Sequence, residues 1–325
     1  MKAAVFEDVK KLVYREDYQK PIPGPDDALV KVHYCGICGS DITNYVGKLF
    51  QTPLIMGHEL VGEVVELGEN ISGYNIGDTV VGINVQLDVF KGELRGLGIF
   101  DDGGFAEFVK VPKDFLFHAP KVPLQECVLV ESVAIGIRGM KLSKIGAKEK
   151  IAIIGGGNIG LTTLSILLSE RDPEYIIIIE PHQFLREKAE KLGATVAFPP
   201  SKAKLRKFLK KNGAPSYIFE CAGTEKAFML ALDMIKRGGT IILEGMYRGK
   251  VTFPLMMLNS KEIGVKGVIS HSSEDILDAI ELFEKKRVVL GQLISEIMSL
   301  KDIESAFKKF LEPEERQFIK IVVQI

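Results

Sequence analysis

Cys38, His58 and Glu59 are the side chains of this sequence whose types could together hold a metal ion. Cys38 lies in HYCGICGSDITNY, while His58 and Glu59 come from GHELVGEVVELG, after Pro53 and just before a β-type run. Thiolate, imidazole and carboxylate form the mixed donor set of a catalytic zinc, which keeps a fourth position open for a substrate oxygen. Cys35 and Cys38 also make a C-x-x-C pair, which alone would suggest a zinc ribbon or a redox dithiol. Cys127 and Cys221 lie far apart in other contexts and supply no second pair, so a four-cysteine structural site has no plausible loops to stand on. The pair follows a strand of a mainly β region, which is not the setting of a thioredoxin-like motif, and Cys35 reads as a small packed residue.

A second constellation binds phosphate. The run IAIIGGGNIGL sets Gly155, Gly157 and Gly160 in G-x-G-x-x-G spacing, with Asn158 and Ile159 before the last glycine, directly after an apolar strand and at the opening of a helix. The first glycine permits a tight turn, the second lets backbone approach a pyrophosphate, and the third lets helix pack on strand. The helix start adds N–H groups and a positive dipole end. The next apolar strand, YIIIIE, ends on Glu180, about 20 residues past the last glycine. A carboxylate there accepts hydrogen bonds from the adenosine ribose hydroxyls and repels a 2′-phosphate, so NAD is expected over NADP. Arg186, further on, could reach such a phosphate and stays a candidate contact, although it also reads as a solvated helix charge.

The elements that must position these residues fall into two patterns. Up to about residue 120, short β-type runs alternate with turn residues: AAVF, ALVKVHY, LVGEVVELG, DTVVGI, FAEFVKV. From about 150 to 245, strands alternate with helices expected at 159–170 and 183–192, through YIFECAG and TIILEG, which predicts stacked βαβ units and a parallel sheet. A connecting helix is expected at 129–143, another at 274–284, and a final strand at 319–325. The expected division is 1–132, 133–268 and a tail, 269–325, that returns to the first domain. Two domains are also what 325 residues suggest.

Composition narrows the function classes. A hydrophobic share of 46% with 26% charged residues is ordinary for a globular chain. Basic and acidic residues number 42 and 43, for a formal charge of -1, so no excess of positive charge is available for nucleic acid. The opening MKAAVFEDVKKLVYRED does not read as a signal peptide, and no apolar run approaches the ~18 residues of a membrane helix. A cytoplasmic protein with reduced thiols, acting on a small molecule, is expected.

In chain order, GICGSD, GHELVGEVVELG, DTV, GGFAEF, LVESVAIGIRG, GGGNIG, KLGA, FECAG and GGTIILEG resemble the zinc-containing medium-chain dehydrogenases, especially the sorbitol and threonine dehydrogenase branch. The resemblance covers essentially the whole chain. It implies an α/β protein with a GroES-like, mainly β catalytic domain plus a Rossmann doubly wound parallel sheet domain, a cleft between them, and a homo-oligomer, dimer or tetramer. It places the catalytic zinc on Cys38, His58 and Glu59, and sets Glu131 of LVES beside or on that zinc, with Ser132 where relatives usually carry proline. Glu244, Gly245 and Met246, with Val268, Ile269 and Ser270, would meet the nicotinamide end.

Departures from the family pattern bear on specificity. The lobe that carries a structural zinc in many relatives corresponds to residues 82–104, where no cysteine occurs, so one zinc per chain is expected. Thr43 stands where many alcohol dehydrogenases carry a relay histidine. Asn44, with Tyr45 beside it, replaces a tyrosine of sorbitol dehydrogenases, and Ser270 and His271 stand where polyol-binding arginine and tyrosine often sit. Asn44, Tyr45 and His271 are therefore the substrate candidates, and sorbitol itself loses support. In the expected mechanism Ser40 passes on the hydroxyl proton, Glu59 exchanges with substrate or water at the metal, and Glu131 holds that water. Asp41 and Asp78 take turn and packing roles. Two alternatives stand beside this reading: a zinc-free quinone or enoyl reductase using NADPH, and a non-enzymatic dinucleotide-binding protein.

Overall fold

Residues 1–85, 95–312 and 316–325 are described by the computed structural model, which divides into two units. The first comprises Met1–Glu131, Ser270–Pro313 and Lys320–Ile325, the second Ser132–Ile269 and Glu314–Ile319. The tail expected to return whole to the first domain thus leaves residues 316–319 with the second. The reason is local hydrogen bonding. The Arg316 backbone N–H donates to His182 Nδ1 at 3.1 Å.

In the first unit the strand Asp27–Gly36 is the spine, pairing antiparallel with Glu59–Leu67, Phe108–Pro112 and Lys320–Gln324. Val30, Val61, Val64, Val111 and Val322 are all fully buried along these strands, each worth ~1.5–3 kcal/mol of apolar burial. Register then fixes which chain ends meet. Cys35 lies opposite Leu60 on one side and Val323 on the other, so the segments carrying Cys38, Glu59 and Lys320 leave the sheet at the same end. Cys38 caps the helix Gly39–Gly47, where the Asp41 carboxylate accepts the Cys38 N–H at 2.9 Å. The helix stops at Lys48, whose φ of 48° is left-handed.

The second unit is a parallel sheet whose described strands run in the order Val196–Phe198, Tyr175–Ile179, Lys150–Ile154, Tyr217–Glu220, Thr240–Leu243, Gly264–Gly267. Every residue of Tyr175–Ile179 is buried, as expected where helices cover both faces. Register aligns Ile154, Ile179, Glu220, Leu243 and Gly267 in one row. Gly155, Glu180, Glu244 and Val268 therefore stand together one residue beyond it, at the carboxyl edge where such sheets bind ligands. The glycine turn is tight. A Cβ on Gly160 would collide with the Gly155 carbonyl oxygen, so the helix Asn158–Glu170 can approach the strand only with glycine there.

Candidate active site

Cys38, His58 and Glu59 converge in the first unit: one ligand atom from each lies within 4.8 Å of the others. Glu59 is 1% exposed and His58 7%, so both have left water behind. Burial by itself would lower the His58 pKa, but Asp41, with Oδ1 3.5 Å from Nδ1, and Cys38 reverse this and hold it well above the ordinary value. The other ring nitrogen, Nε2, lies 3.2 Å from the Ser40 hydroxyl. Glu59 Oε1 and Glu131 Oε2 are buried acceptors with no hydrogen-bond partner among the described residues. Unpaired buried oxygens next to a thiol and an imidazole are costly unless a cation meets them, and the donor set suits zinc.

Two residues complete this site without having been assigned to it from the sequence. Asp41 was read as a turn residue, and it does cap the helix, but its second oxygen also faces His58 Nδ1 at 3.5 Å, the place a carboxylate takes behind a metal-bound histidine. Lys320, 1% exposed, puts its ammonium on Glu59 Oε2. Burial raises the Glu59 carboxyl, and Lys320 acts against that. A Cβ on Gly36 would fall 2.8 Å from Lys320 Cε and closer still to Glu59 Oε2, so only glycine lets the pair form. The glycine inside the C-x-x-C carried no such signal; a lone lysine in a terminal apolar strand was the available clue.

Glu131 lies with its Oε1 3.5 Å from His271 Nε2. Burial would raise its carboxyl, but His271, His58 and Lys320 hold it down at about 2. His271 is 1% exposed and borders that carboxylate. The other two substrate candidates are buried in other contacts. The Tyr45 ring packs edge-on to Phe307 at 5.2 Å, and its hydroxyl donates to the Lys10 carbonyl, which places it inside the core. Asn44 is 1% exposed and accepts the Phe50 N–H at 3.0 Å, holding the turn after its helix. Thr43 donates to the Gly39 carbonyl. Cys35 is fully buried, and burial drives its thiol pKa well up, as fits a packed residue. The absent cysteine lobe overlaps residues 86–94, outside the described residues.

In the second unit Glu180 accepts the Gly156 N–H at 2.7 Å and the His182 N–H at 2.9 Å. These bonds pin the carboxylate over the glycine turn, beside Gly155 and Gly157. Arg186 donates to the Glu180 and Pro181 carbonyls, which ties it to the turn and gives its charge a structural use. Asn158 donates to Ser132 at 2.7 Å. Ile159 follows Asn158 in the first turn of the helix. Glu244 hides its carboxyl, where Thr163 donates at 2.8 Å and burial pushes the pKa up to about 8. Past it, Gly245 donates to the Glu220 carbonyl, Met246 is exposed, Val268 donates to Leu243, and Ile269 is 77% exposed before the left-handed Ser270.

Known families fall on both halves of the chain. The alcohol dehydrogenase GroES-like domain matches residues 24–121, and the zinc-binding dehydrogenase domain matches residues 159–285. The chain belongs to the zinc-type medium-chain dehydrogenases. D-xylulose reductase of Saccharomyces cerevisiae is 28% identical to this dehydrogenase over 94% of its chain and 93% of the yeast protein. Among solved structures, a protein of Sinorhizobium meliloti 1021 described as a zinc-binding dehydrogenase bound to NADP shares 28% identity at a TM-score of 0.89, with 100% and 99% of the two chains covered. The 2R,3R-butanediol dehydrogenase of Bacillus subtilis shares 27% at 0.88, again covering 100% and 99%. The enzyme is an oxidoreductase that uses zinc and a nicotinamide cofactor. No helix among the described residues is long and apolar enough to cross a membrane.

Proposed function

We propose that this dehydrogenase oxidises a secondary hydroxyl of a polyol, sugar, cyclitol or amino alcohol, with NAD as hydride acceptor and one catalytic zinc on Cys38, His58 and Glu59. The observation that carries the reading is the convergence of those three side chains around unpaired buried oxygens. When bound, zinc polarises the substrate oxygen and lowers the hydroxyl pKa. The protein does the rest. Asp41 faces the His58 ring, Lys320 favours the charged form of Glu59, and Ser40, whose hydroxyl lies beside His58, would accept the hydroxyl proton. Glu131 and His271 offer polar atoms to the substrate's further hydroxyls or to water.

At the other end, Glu180 favours NAD, because a 2′-phosphate would meet its carboxylate. The relative bound to NADP makes the choice of cofactor worth measuring directly. Zinc-replete protein should be offered a panel of polyols, sugars and amino alcohols with NAD and NADP in parallel, reading reduced-nicotinamide absorbance. At least one secondary alcohol should respond, with kcat/KM at least ~10-fold higher for NAD, one tier of discrimination. Silence across the panel overturns the reading, and preference for NADP overturns its cofactor part. A reduced, cytoplasmic dimer or tetramer belongs to the same proposal, and sedimentation reads the assembly.

A further inference from the structure

The helix Lys202–Asn212 of the second unit turns charge of a single sign to the outside. Leu205 is buried, Leu209 packs against the core of that unit, and Phe208 meets Tyr175 and Phe198 edge-on at 5.3 and 5.5 Å. At roughly 3.6 residues per turn this leaves Lys204, Arg206, Lys207, Lys210 and Lys211 together on the outer arc, all of them exposed. No acidic residue occurs between Glu190 and Glu220, and among the described residues no carboxylate pairs with any of the five cations.

Folding alone does not account for such a face. Lys204 with Lys207, Arg206 with Lys210, and Lys207 with Lys211 stand three or four residues apart, where like charges repel and a glutamate would stabilise. The helix dipole favours Lys210 and Lys211 in the last turn but opposes Lys204 in the first, and that first turn holds no acid. A chain of formal charge -1 has gathered a cationic strip on one helix, which is a surface for a polyanion. Two features choose its kind. The outer arc presents no aromatic ring on which a base could stack, since Phe208 turns inward, and no asparagine or glutamine to read a base edge. Four of the five cations are lysines on long mobile stems, which suit a fluid layer of headgroups better than the fixed phosphates an arginine fork matches. We propose that the outer face of Lys202–Asn212 docks this dehydrogenase on the surface of a membrane rich in anionic phospholipid. The apolar side chains of the helix are spent on the protein core, so the attachment is electrostatic and without insertion.

The test floats the full-length, zinc-replete protein with vesicles of phosphatidylcholine alone or with about 30% phosphatidylglycerol, at low salt and at about 0.5 M salt, which screens charge beyond a few ångström. Wild type should float with the anionic vesicles at low salt only, and never with phosphatidylcholine. Lys204→Gln/Lys207→Gln/Lys210→Gln/Lys211→Gln should lose at least ~100-fold in lipid partition, from the usual attraction of each cation near such a surface. Lys31→Gln/Lys121→Gln/Lys250→Gln/Lys301→Gln removes the same charge from exposed positions elsewhere and should stay within ~3-fold of wild type. If the first variant does not fold, as judged by its thermal midpoint, Lys207→Gln/Lys210→Gln decides, with a loss of at least ~10-fold. Failure of wild type to float with anionic vesicles overturns the proposal. So does flotation that survives high salt, or an equal loss in the two fourfold variants, which marks bulk charge. Displacement from the vesicles by duplex DNA at equal phosphate concentration assigns the face to nucleic acid and overturns it as well.

Discussion

The ammonium of Lys320 rests on Glu59 Oε2 across 261 residues of sequence, and each of the two is 1% exposed. Such a pair does not by itself argue for stability, because both charges left water to form it. Its consequence lies elsewhere. Against the burial that raises the Glu59 carboxyl, Lys320 favours the charged form of a candidate metal ligand, and does so as a cation that cannot itself bind a metal.

Removing the ammonium should expose this dependence. Lys320→Met leaves Glu59 as a buried charge without compensation, and the metal-free protein should lose about 3 kcal/mol. Zinc supplies the missing positive charge, so added zinc should raise the urea midpoint more in the variant than in wild type. Equal zinc-induced shifts in the two proteins would show that Lys320 does not serve Glu59.

Asp41→Asn keeps the helix cap nearly isosteric but removes the negative charge facing His58 Nδ1. Zinc affinity, measured by chelator competition, should fall ~10- to 100-fold, the usual cost of losing a carboxylate behind a ligand histidine. Unchanged affinity would confine Asp41 to capping.

Cys38→Ser and Ser40→Ala should part ways although they are near neighbours in sequence. The first should lose bound zinc and, with it, activity, because the thiolate is the soft ligand of the set. Ser40→Ala should keep its zinc and lose ~10²- to 10⁴-fold in kcat, the range of a proton-transfer group. Metal content by mass spectrometry with steady-state rates on the same samples separates the two.

Glu244 gives a pH signature. Burial raises its carboxyl from an ordinary 4.5 to about 8, against the Thr163 and Cys221 hydrogen bonds. An acid whose folded pKa lies above its unfolded value takes up a proton on folding between those limits. Stability should therefore fall as pH rises from about 4.5 to about 8, by up to ~1.4 kcal/mol per pH unit from this group, and no further above that. Glu244→Gln mimics the protonated form and should flatten the wild-type slope, ending more stable than wild type at alkaline pH. Urea midpoints across the range for both proteins provide the comparison, and parallel curves would refute it.

Much of this enzyme could be read from its residues. The helix expected at 159–170 is observed as Asn158–Glu170, that at 129–143 as Val130–Ser143, and the last strand as Lys320–Gln324, because apolar periodicity, glycine spacing and turn residues are local signals. The strand-end positions Gly155 and Glu180 were legible for the same reason: the βαβ repeat fixes them by spacing. Cys38, His58 and Glu59 were legible because few other chemistries use those three donors together.

Side-chain direction across long sequence separations was not legible. Whether Tyr45 faces substrate or core depends on Phe307, which joins it only when the tail folds back. Lys320 meets Glu59 because antiparallel register sets Val322 opposite Gly36, and Gly36 has no Cβ to keep them apart. Sequence by itself determined the two kinds of domain and the glycine turn, and it offered the candidate metal donor set, since each follows from residue types and local pattern. Tertiary structure alone decided which charges compensate those donors and which polar groups turn inward, since burial and register arise only when distant strands pair.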